Sequence, residues 1–193
     1  MLLKNFMKKK RILFLGYKKI NTKLISYLRR KKILVIENGQ KTLNSKKLES
    51  YDLIISFGYK KIIKKNILKK LARPPVNLHI SYLPFNRGSH PNYWSFKEKT
   101  PSGISIHEID AGIDTGKIIF RKRINFKLKK NLTFNQTYLI LRHNIEKLFM
   151  KNFKSIWEKK YKIIKIYNKG TFHKKKDLPK KLKSWNSKIS DYN

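Results

Sequence analysis

One stretch, residues 74–116, concentrates the side chains of this chain that could take part in chemistry. Asn77 and His79 stand near its start with one residue between them, and Asp114 stands between Gly112 and Gly116 at its end. Side chains of these types can donate hydrogen bonds, hold a charge and exchange protons. Taken singly, each is more often a turn residue or a structural hydrogen-bonding group, so their value depends on whether the fold brings them together.

The local pattern indicates how these side chains are positioned. Residues 76–80 alternate like a strand, which places Asn77 and His79 on one face and the apolar residues between them on the other. A loop follows, so the pair is expected at the carboxyl end of a strand, where open α/β sheets bind ligands. Residues 102–109 alternate like a second strand, and residues 110–116 form a tight loop with glycines.

Strands and helices alternate before this stretch, and their order gives the fold class. The predicted elements are strands at 11–16, 32–37 and 52–57 and helices at 21–31 and 60–70. We therefore expect an α/β fold with a Rossmann-like, open, mostly parallel sheet and helices on both faces. Farther on, residues 117–126 predict an edge or antiparallel strand, and Thr133 is expected to cap a long helix ending near residue 159.

Length and composition limit the number of domains and the kinds of site that the chain can contain. The chain has 193 residues with 40% hydrophobic residues, enough for one domain with a real core. It has no cysteine, which excludes disulfides, thiolate metal sites and a cysteine nucleophile and is compatible with a cytoplasmic location. No segment predicts a membrane span or a signal peptide. We expect one catalytic domain at residues 1–168 and a basic, loosely ordered tail at 169–193.

The charge of the chain is extreme. Lys and Arg number 48 against 11 Asp and Glu, a formal net charge of +37. One interpretation is a polyanionic partner such as tRNA. The interpretation we favour is codon bias, because most basic residues are Lys, the chain is also rich in Ile and Asn, and Lys falls in solvated positions nearly everywhere.

The motifs of residues 77–116 resemble the folate-dependent formyltransferases, which include methionyl-tRNA formyltransferase, glycinamide ribonucleotide transformylase and the sugar N-formyltransferases. The family pattern is N-x-H-x-S-x-L-P-x-x-R-G, then a T-G-x-T-x-H strand, then D-x-G-x-D-x-G. The chain matches it with Asn77-Leu78-His79, Leu83-Pro84, Arg87-Gly88, Ser102-Gly103-Ile104-Ser105-Ile106-His107 and Asp110-Ala111-Gly112-Ile113-Asp114-Thr115-Gly116. Tyr82 and Ser105 are mild departures. The family usually has a further strand and helix where this chain has only residues 40–51, so we expect the sheet to be trimmed at one edge.

The resemblance implies roles for individual residues. Asn77 and a protonated His79 would donate to the oxygen that gains charge as a formyl group passes from 10-formyltetrahydrofolate to an amine, and Asp114 would hold His79 charged and help to move the proton. Arg87 and Gly88 would face the acceptor, whereas His107 is expected to be structural. The folate would lie against Ser56, Phe57, Gly58, Tyr59, Asp110, Ala111, Gly112 and Ile113. Metal binding is not expected, because no paired histidine spacing occurs.

Several functions remain open at this point. We favour an N-formyltransferase whose acceptor is a nucleotide-linked amino sugar, because the chain is short and residues 89–94 resemble such enzymes. Methionyl-tRNA is the second acceptor, favoured by the charge, and glycinamide ribonucleotide is the third. A formyltetrahydrofolate hydrolase would use the same residues with water as nucleophile. A non-catalytic, basic RNA-binding domain that kept the fold is the remaining alternative. The sequence does not indicate an oligomeric state.

Overall fold

The computed structural model describes residues 9–44, 48–126, 131–180, 182 and 184–192. Its main sheet has six strands in the order β2-β1-β3-β4-β6-β7, and a two-stranded sheet joins β5 and β8. The strands are β1 (Arg11–Gly16), β2 (Leu34–Gly39), β3 (Leu53–Phe57), β4 (Val76–His79), β5 (Arg87–Gly88), β6 (Gly103–Glu108), β7 (Ile118–Arg123) and β8 (Phe172–His173). The α-helices are α1 (Lys23–Arg30), α2 (Lys65–Leu68), α3 (Pro91–Lys97) and α4 (Phe134–Glu158).

The main sheet is mixed but mostly parallel, as the sequence predicts. Strands β2, β1, β3 and β4 run parallel to one another. Strands β6 and β7 are added antiparallel. The predicted α/β fold class is confirmed. Between β2 and β3, the described residues contain one short 3-10 helix, Leu48–Ser50, in agreement with a sheet trimmed at that edge.

Both faces of the sheet are covered, because apolar side chains point alternately to opposite sides of buried strands. On one face, Ile12 and Phe14 of β1 pack against α1 and α4. On the other face, Leu13 and Leu15 pack with Ile67 of α2 and with the connection after β2. None of the helices described here is long and apolar enough to cross a membrane.

The predicted elements agree with the structure except at α2. Strand β1 has the predicted bounds, and the long helix α4 starts after Thr133, which forms a capping box with Gln136. The helix predicted at residues 60–70 is reduced to Lys65–Leu68. It lacks a side-chain N-cap, and the residues before it line a cavity instead of continuing the helix.

The segment after α4 packs against the domain, which the sequence interpretation of a loosely ordered tail does not anticipate. Strand β8 pairs in parallel with β5. Ile189 is buried in a cluster with Tyr93, Trp94 and Phe134. Basic composition hides this contact in the sequence, because the few apolar residues of the segment are scattered among lysines. The division of the chain at residue 168 remains a prediction.

Candidate active site

The pairing of β4 with β6 gathers four polar side chains on one face of the sheet. Asn77 lies opposite His107, and His79 lies opposite Ser105. Their apolar neighbours on these strands, such as Leu78, join the core with α1 and α4 on the other face. The strand period of two therefore separates a polar side from a packed side, as the sequence predicts for Asn77 and His79.

The loop after β6 brings Asp114 to the same point. Its Oδ1 accepts a hydrogen bond from Asn77 Nδ2 at 3.3 Å, and its Oδ2 accepts one from the Gly88 amide at 2.9 Å. His79 Nε2 lies 3.7 Å from Oδ2, and His107 Nε2 lies 3.4 Å from Oδ1. The amide, the imidazole and the carboxylate of the predicted site thus meet within contact distance.

His79 is held mainly as the neutral imidazole. Burial lowers the pKa of His79, because protonation would place a positive charge on a ring that water cannot solvate. The Asp114 carboxylate opposes this effect, and His107 adds to it. Nε2 faces the Asn86 carbonyl at 3.5 Å and the Asp114 carboxylate, so hydrogen-bonding neighbours place the ring proton on Nε2 and leave a lone pair on Nδ1.

Asp114 is held as the carboxylate. Burial by itself would raise the pKa of Asp114, but the adjacent His79 and His107 rings and the Gly88 amide outweigh it and lower the pKa. The residue has a left-handed backbone at φ 52°, which Asp tolerates better than most residues. The site therefore contains a fixed negative charge beside a ring that can take up a proton.

His107 takes a larger part in the site than the sequence interpretation gives it. Its ring is buried, Nδ1 donates to the Glu108 carbonyl at 2.7 Å, and Nε2 lies 3.1 Å from Asn77 Nδ2. It thus contacts both Asn77 and Asp114. The signal in the sequence is weak, since a histidine two residues after Ser105 on an alternating strand can equally be a structural residue.

A cavity of about 1110 Å³ opens beside these side chains. Most of the predicted folate-binding residues line it: Ser56, Phe57, Gly58, Tyr59, Asp110, Gly112 and Ile113. Ala111 is not part of the lining. The cavity adjoins Asn77 and His79, and its size is in the range of cavities that bind small molecules.

The predicted acceptor residues separate in the structure. Gly88 lines the cavity, but its amide holds Asp114. Arg87 is not part of the cavity lining, and its backbone amide donates to the Thr171 carbonyl at 3.0 Å. The lining residues to which the sequence analysis assigned no individual role include Ser89, His90, Pro91, Tyr138, Phe172, His173, Lys174 and Lys175. Half of them come from the C-terminal segment, which carries no recognisable motif.

No cluster of three histidine, aspartate or glutamate side chains in the described parts of the chain is arranged to hold a metal ion. The pair of imidazoles and the carboxylate contact one another and the backbone instead. The arrangement can polarise a carbonyl oxygen through an amide and move a proton through an imidazole supported by a carboxylate.

Known proteins share this sequence and this fold. A profile described as formyl transferase matches residues 11–150. Methionyl-tRNA formyltransferase of Prochlorococcus marinus (strain MIT 9515) is 34% identical over 136 residues, which cover 69% of this chain and 39% of that protein. GDP-perosamine N-formyltransferase of Brucella melitensis is 37% identical over 75 residues, 38% of this chain and 29% of that protein. In both comparisons the matched segment covers well under half of the relative's length.

A solved structure matches over nearly the whole chain. The formyltransferase PseJ from Anoxybacillus kamchatkensis, in complex with UDP-4,6-dideoxy-4-formamido-L-AltNAc and tetrahydrofolate, superposes with a TM-score of 0.85. It is 37% identical, and the match covers 94% of this chain and 97% of that one. The family expected from the motifs of residues 77–116 is thereby confirmed: the chain belongs to the formyl transferase family.

Proposed function

We propose that this protein transfers a formyl group from 10-formyltetrahydrofolate to the primary amine of a nucleotide-linked amino sugar. The main support for this reaction is that Asn77, His79 and Asp114 contact one another at one wall of a cavity large enough for both substrates. The sugar acceptor is supported by the 37% identity to PseJ over nearly the full length of both chains, because that enzyme was crystallised with a UDP-linked formamido sugar and tetrahydrofolate.

In the proposed mechanism, each side chain acts where its protonation state suits it. Asn77 donates a hydrogen bond to the formyl oxygen, which gains negative charge as the amine attacks. His79 enters as the neutral ring and accepts the proton of the attacking amine on Nδ1. The protonated His79 that the sequence analysis expected as a hydrogen-bond donor therefore forms only after this transfer. Asp114 then lies 3.7 Å from an imidazolium and stabilises it, and the Gly88 amide keeps the carboxylate in place. The tetrahedral intermediate collapses as its bond to N10 of the folate breaks, and the imidazolium returns the proton to that nitrogen, which leaves as tetrahydrofolate.

The acceptor would occupy the end of the cavity beyond Gly88. Phe172 is 37% exposed there, and its ring gives an apolar surface beside the reacting groups for the sugar. Lys174 and Lys175 lie next along the wall and offer positive charge to a diphosphate. Burial and the charge of Lys175 both lower the pKa of His90, so this ring is a neutral hydrogen-bonding group at the same wall.

Methionyl-tRNA is the second acceptor that an observation favours. The charge of +37 suits a polyanion, and the matched relative is 34% identical over 69% of this chain. The match to PseJ is more extensive, since it covers 94% of this chain and 97% of that one at 37% identity, and we therefore place the amino sugar first. A cytoplasmic location is expected for either acceptor.

The test is an assay of the purified protein with 10-formyltetrahydrofolate and separate acceptors. These are UDP-linked and dTDP-linked 4-amino-sugars, methionyl-tRNA, glycinamide ribonucleotide and no amine. Tetrahydrofolate release and the formylated product, by mass spectrometry, are measured with the wild type and with Asn77→Ala. We expect a formylated nucleotide sugar, lost in the variant. If the product is formylated methionyl-tRNA, the acceptor is tRNA and not a sugar. Formate release without an amine would identify a hydrolase. Salt-sensitive RNA binding without turnover would identify a non-catalytic binding domain.

A further inference from the structure

A short C-terminal strap, residues 170–173, lies along the loop that carries the site. The Thr171 carbonyl accepts a hydrogen bond from the Arg87 amide at 3.0 Å. The His173 carbonyl accepts one from the Ser89 amide at 2.9 Å. The strap therefore adds a strand to a loop whose backbone groups would otherwise need other partners.

The hydroxyl of Thr171 makes two further hydrogen bonds, both to Asn86. Its Oγ1 accepts from the Asn86 backbone amide at 2.8 Å and donates to the Asn86 side-chain oxygen at 3.1 Å. Asn86 is fully buried and has a left-handed backbone at φ 55°. One hydroxyl thus fixes both the backbone and the side chain of a residue in an uncommon conformation.

Asn86 and Gly88 are the two loop residues that contact the reacting groups. The Asn86 carbonyl faces His79 Nε2 at 3.5 Å, and the Gly88 amide donates to Asp114 at 2.9 Å. The strap contacts both residues, since Thr171 binds Asn86 and His173 pairs with Gly88. The orientation of the imidazole and of the carboxylate therefore depends on a segment remote from them in sequence.

The strap is anchored independently of the Thr171 hydroxyl. An ideal Cβ on Gly170 would lie 2.1 Å from the Pro84 carbonyl oxygen, so the two backbones are in close contact. The His173 ring stacks on Trp94 at 4.0 Å between centroids, and its Nε2 lies 3.2 Å from the Glu98 carboxylate. Removing only the Thr171 hydroxyl should leave the strap bound.

We propose that Thr171 is a positioning residue: its hydroxyl fixes Asn86, whose carbonyl orients the His79 ring for proton transfer. The inference rests on the proposed catalytic role of His79. It adds that the catalytic centre includes the strap, so that residues 1–168 do not contain all of it. Without the hydroxyl, the Asn86 carbonyl can turn away, and the ring loses the acceptor that fixes its tautomer.

The test compares Thr171→Val, which keeps the branched shape, with Thr171→Ser, which keeps the hydroxyl. Thr137→Val is the control, because the Thr137 hydroxyl likewise binds one asparagine, Asn92, but at α3; Thr137 is fully buried, whereas Thr171 is partly exposed. We expect Thr171→Val to lower kcat about tenfold or more with both KM values little changed, since small misplacement of a reacting group is costly. Thr171→Ser should restore kcat, and Thr137→Val should lower only the unfolding midpoint.

A second readout separates positioning from stability. The His79 ring faces Asp114, His107 and the Asn86 carbonyl, and the carbonyl raises its pKa. An NMR titration of the ring should therefore give a lower pKa in Thr171→Val than in the wild type, and an unchanged pKa in Thr137→Val. A folded Thr171→Val protein with wild-type kcat and wild-type His79 titration would overturn the inference. An active Asn77→Ala variant would instead overturn the proposed function.

Discussion

Replacing Asp114 with asparagine removes one charge and little else. Asparagine has nearly the same shape, tolerates the left-handed backbone at φ 52°, and can still accept from the Gly88 amide. What is lost is the attraction between the carboxylate and the His79 ring when that ring takes up a proton. At the 3.7 Å separation between His79 Nε2 and Asp114 Oδ2 and an effective dielectric constant of about 20, this attraction is about 4 kcal/mol. We therefore expect kcat to fall by roughly 10³-fold.

The assay is the initial rate of tetrahydrofolate formation at saturating concentrations of both substrates, with unfolding by denaturant measured in parallel. Asp52→Asn is the matched control, since the Asp52 carboxylate also accepts from a backbone amide, that of Arg11, but at the other end of the sheet. Its kcat should stay within about twofold of wild type, as is usual for exposed positions. Wild-type kcat in a folded Asp114→Asn protein would refute the assignment of the carboxylate to the proton transfer.

Three further outcomes follow from the geometry. Burial holds the pKa of His79 below 6.5, so kcat should be constant above that pH and fall on acidification as the ring becomes charged; a rise of kcat at acid pH would contradict this. Gly88→Ala should lower kcat and destabilise the protein by about 1–3 kcal/mol, because Gly88 has φ 88° and an added Cβ would lie 2.3 Å from the His173 carbonyl oxygen. Glu146→Ala leaves the buried Thr22 hydroxyl without its 2.6 Å acceptor and should cost about 1–3 kcal/mol of unfolding free energy with kcat unchanged.

Much of the fold could be predicted because its signals are local. Residues 12–15 form an apolar run between an arginine and a glycine, and residues 11–16 form β1 within the predicted bounds. Thr133 followed three residues later by Gln136 indicates a helix start, and both partners of the capping box are present. Asn77 and His79 lie on one face because a strand has a period of two, whatever surrounds it.

Other parts of the site depend on contacts that sequence does not encode locally. The bonds between Thr171 and Asn86 join positions 85 residues apart, and a threonine in a lysine-rich segment gives no sign of them. The neutral state of His79 follows from burial, which is a property of the assembled sheet. The family resemblance placed Arg87 at the acceptor; in the structure its backbone pairs with Phe172 and it is not part of the cavity lining, and its role towards the acceptor stays a prediction.

The late position of the strap has a consequence for how the protein folds. All strands of the main sheet and α4 precede residue 170, so their packing does not require the strap. Pairing it with β5 closes a long loop, which is a slow kind of folding event. A newly made chain should therefore acquire its compact sheet first and its turnover second, and a short delay between the two would be visible when refolding is followed by fluorescence and by activity together.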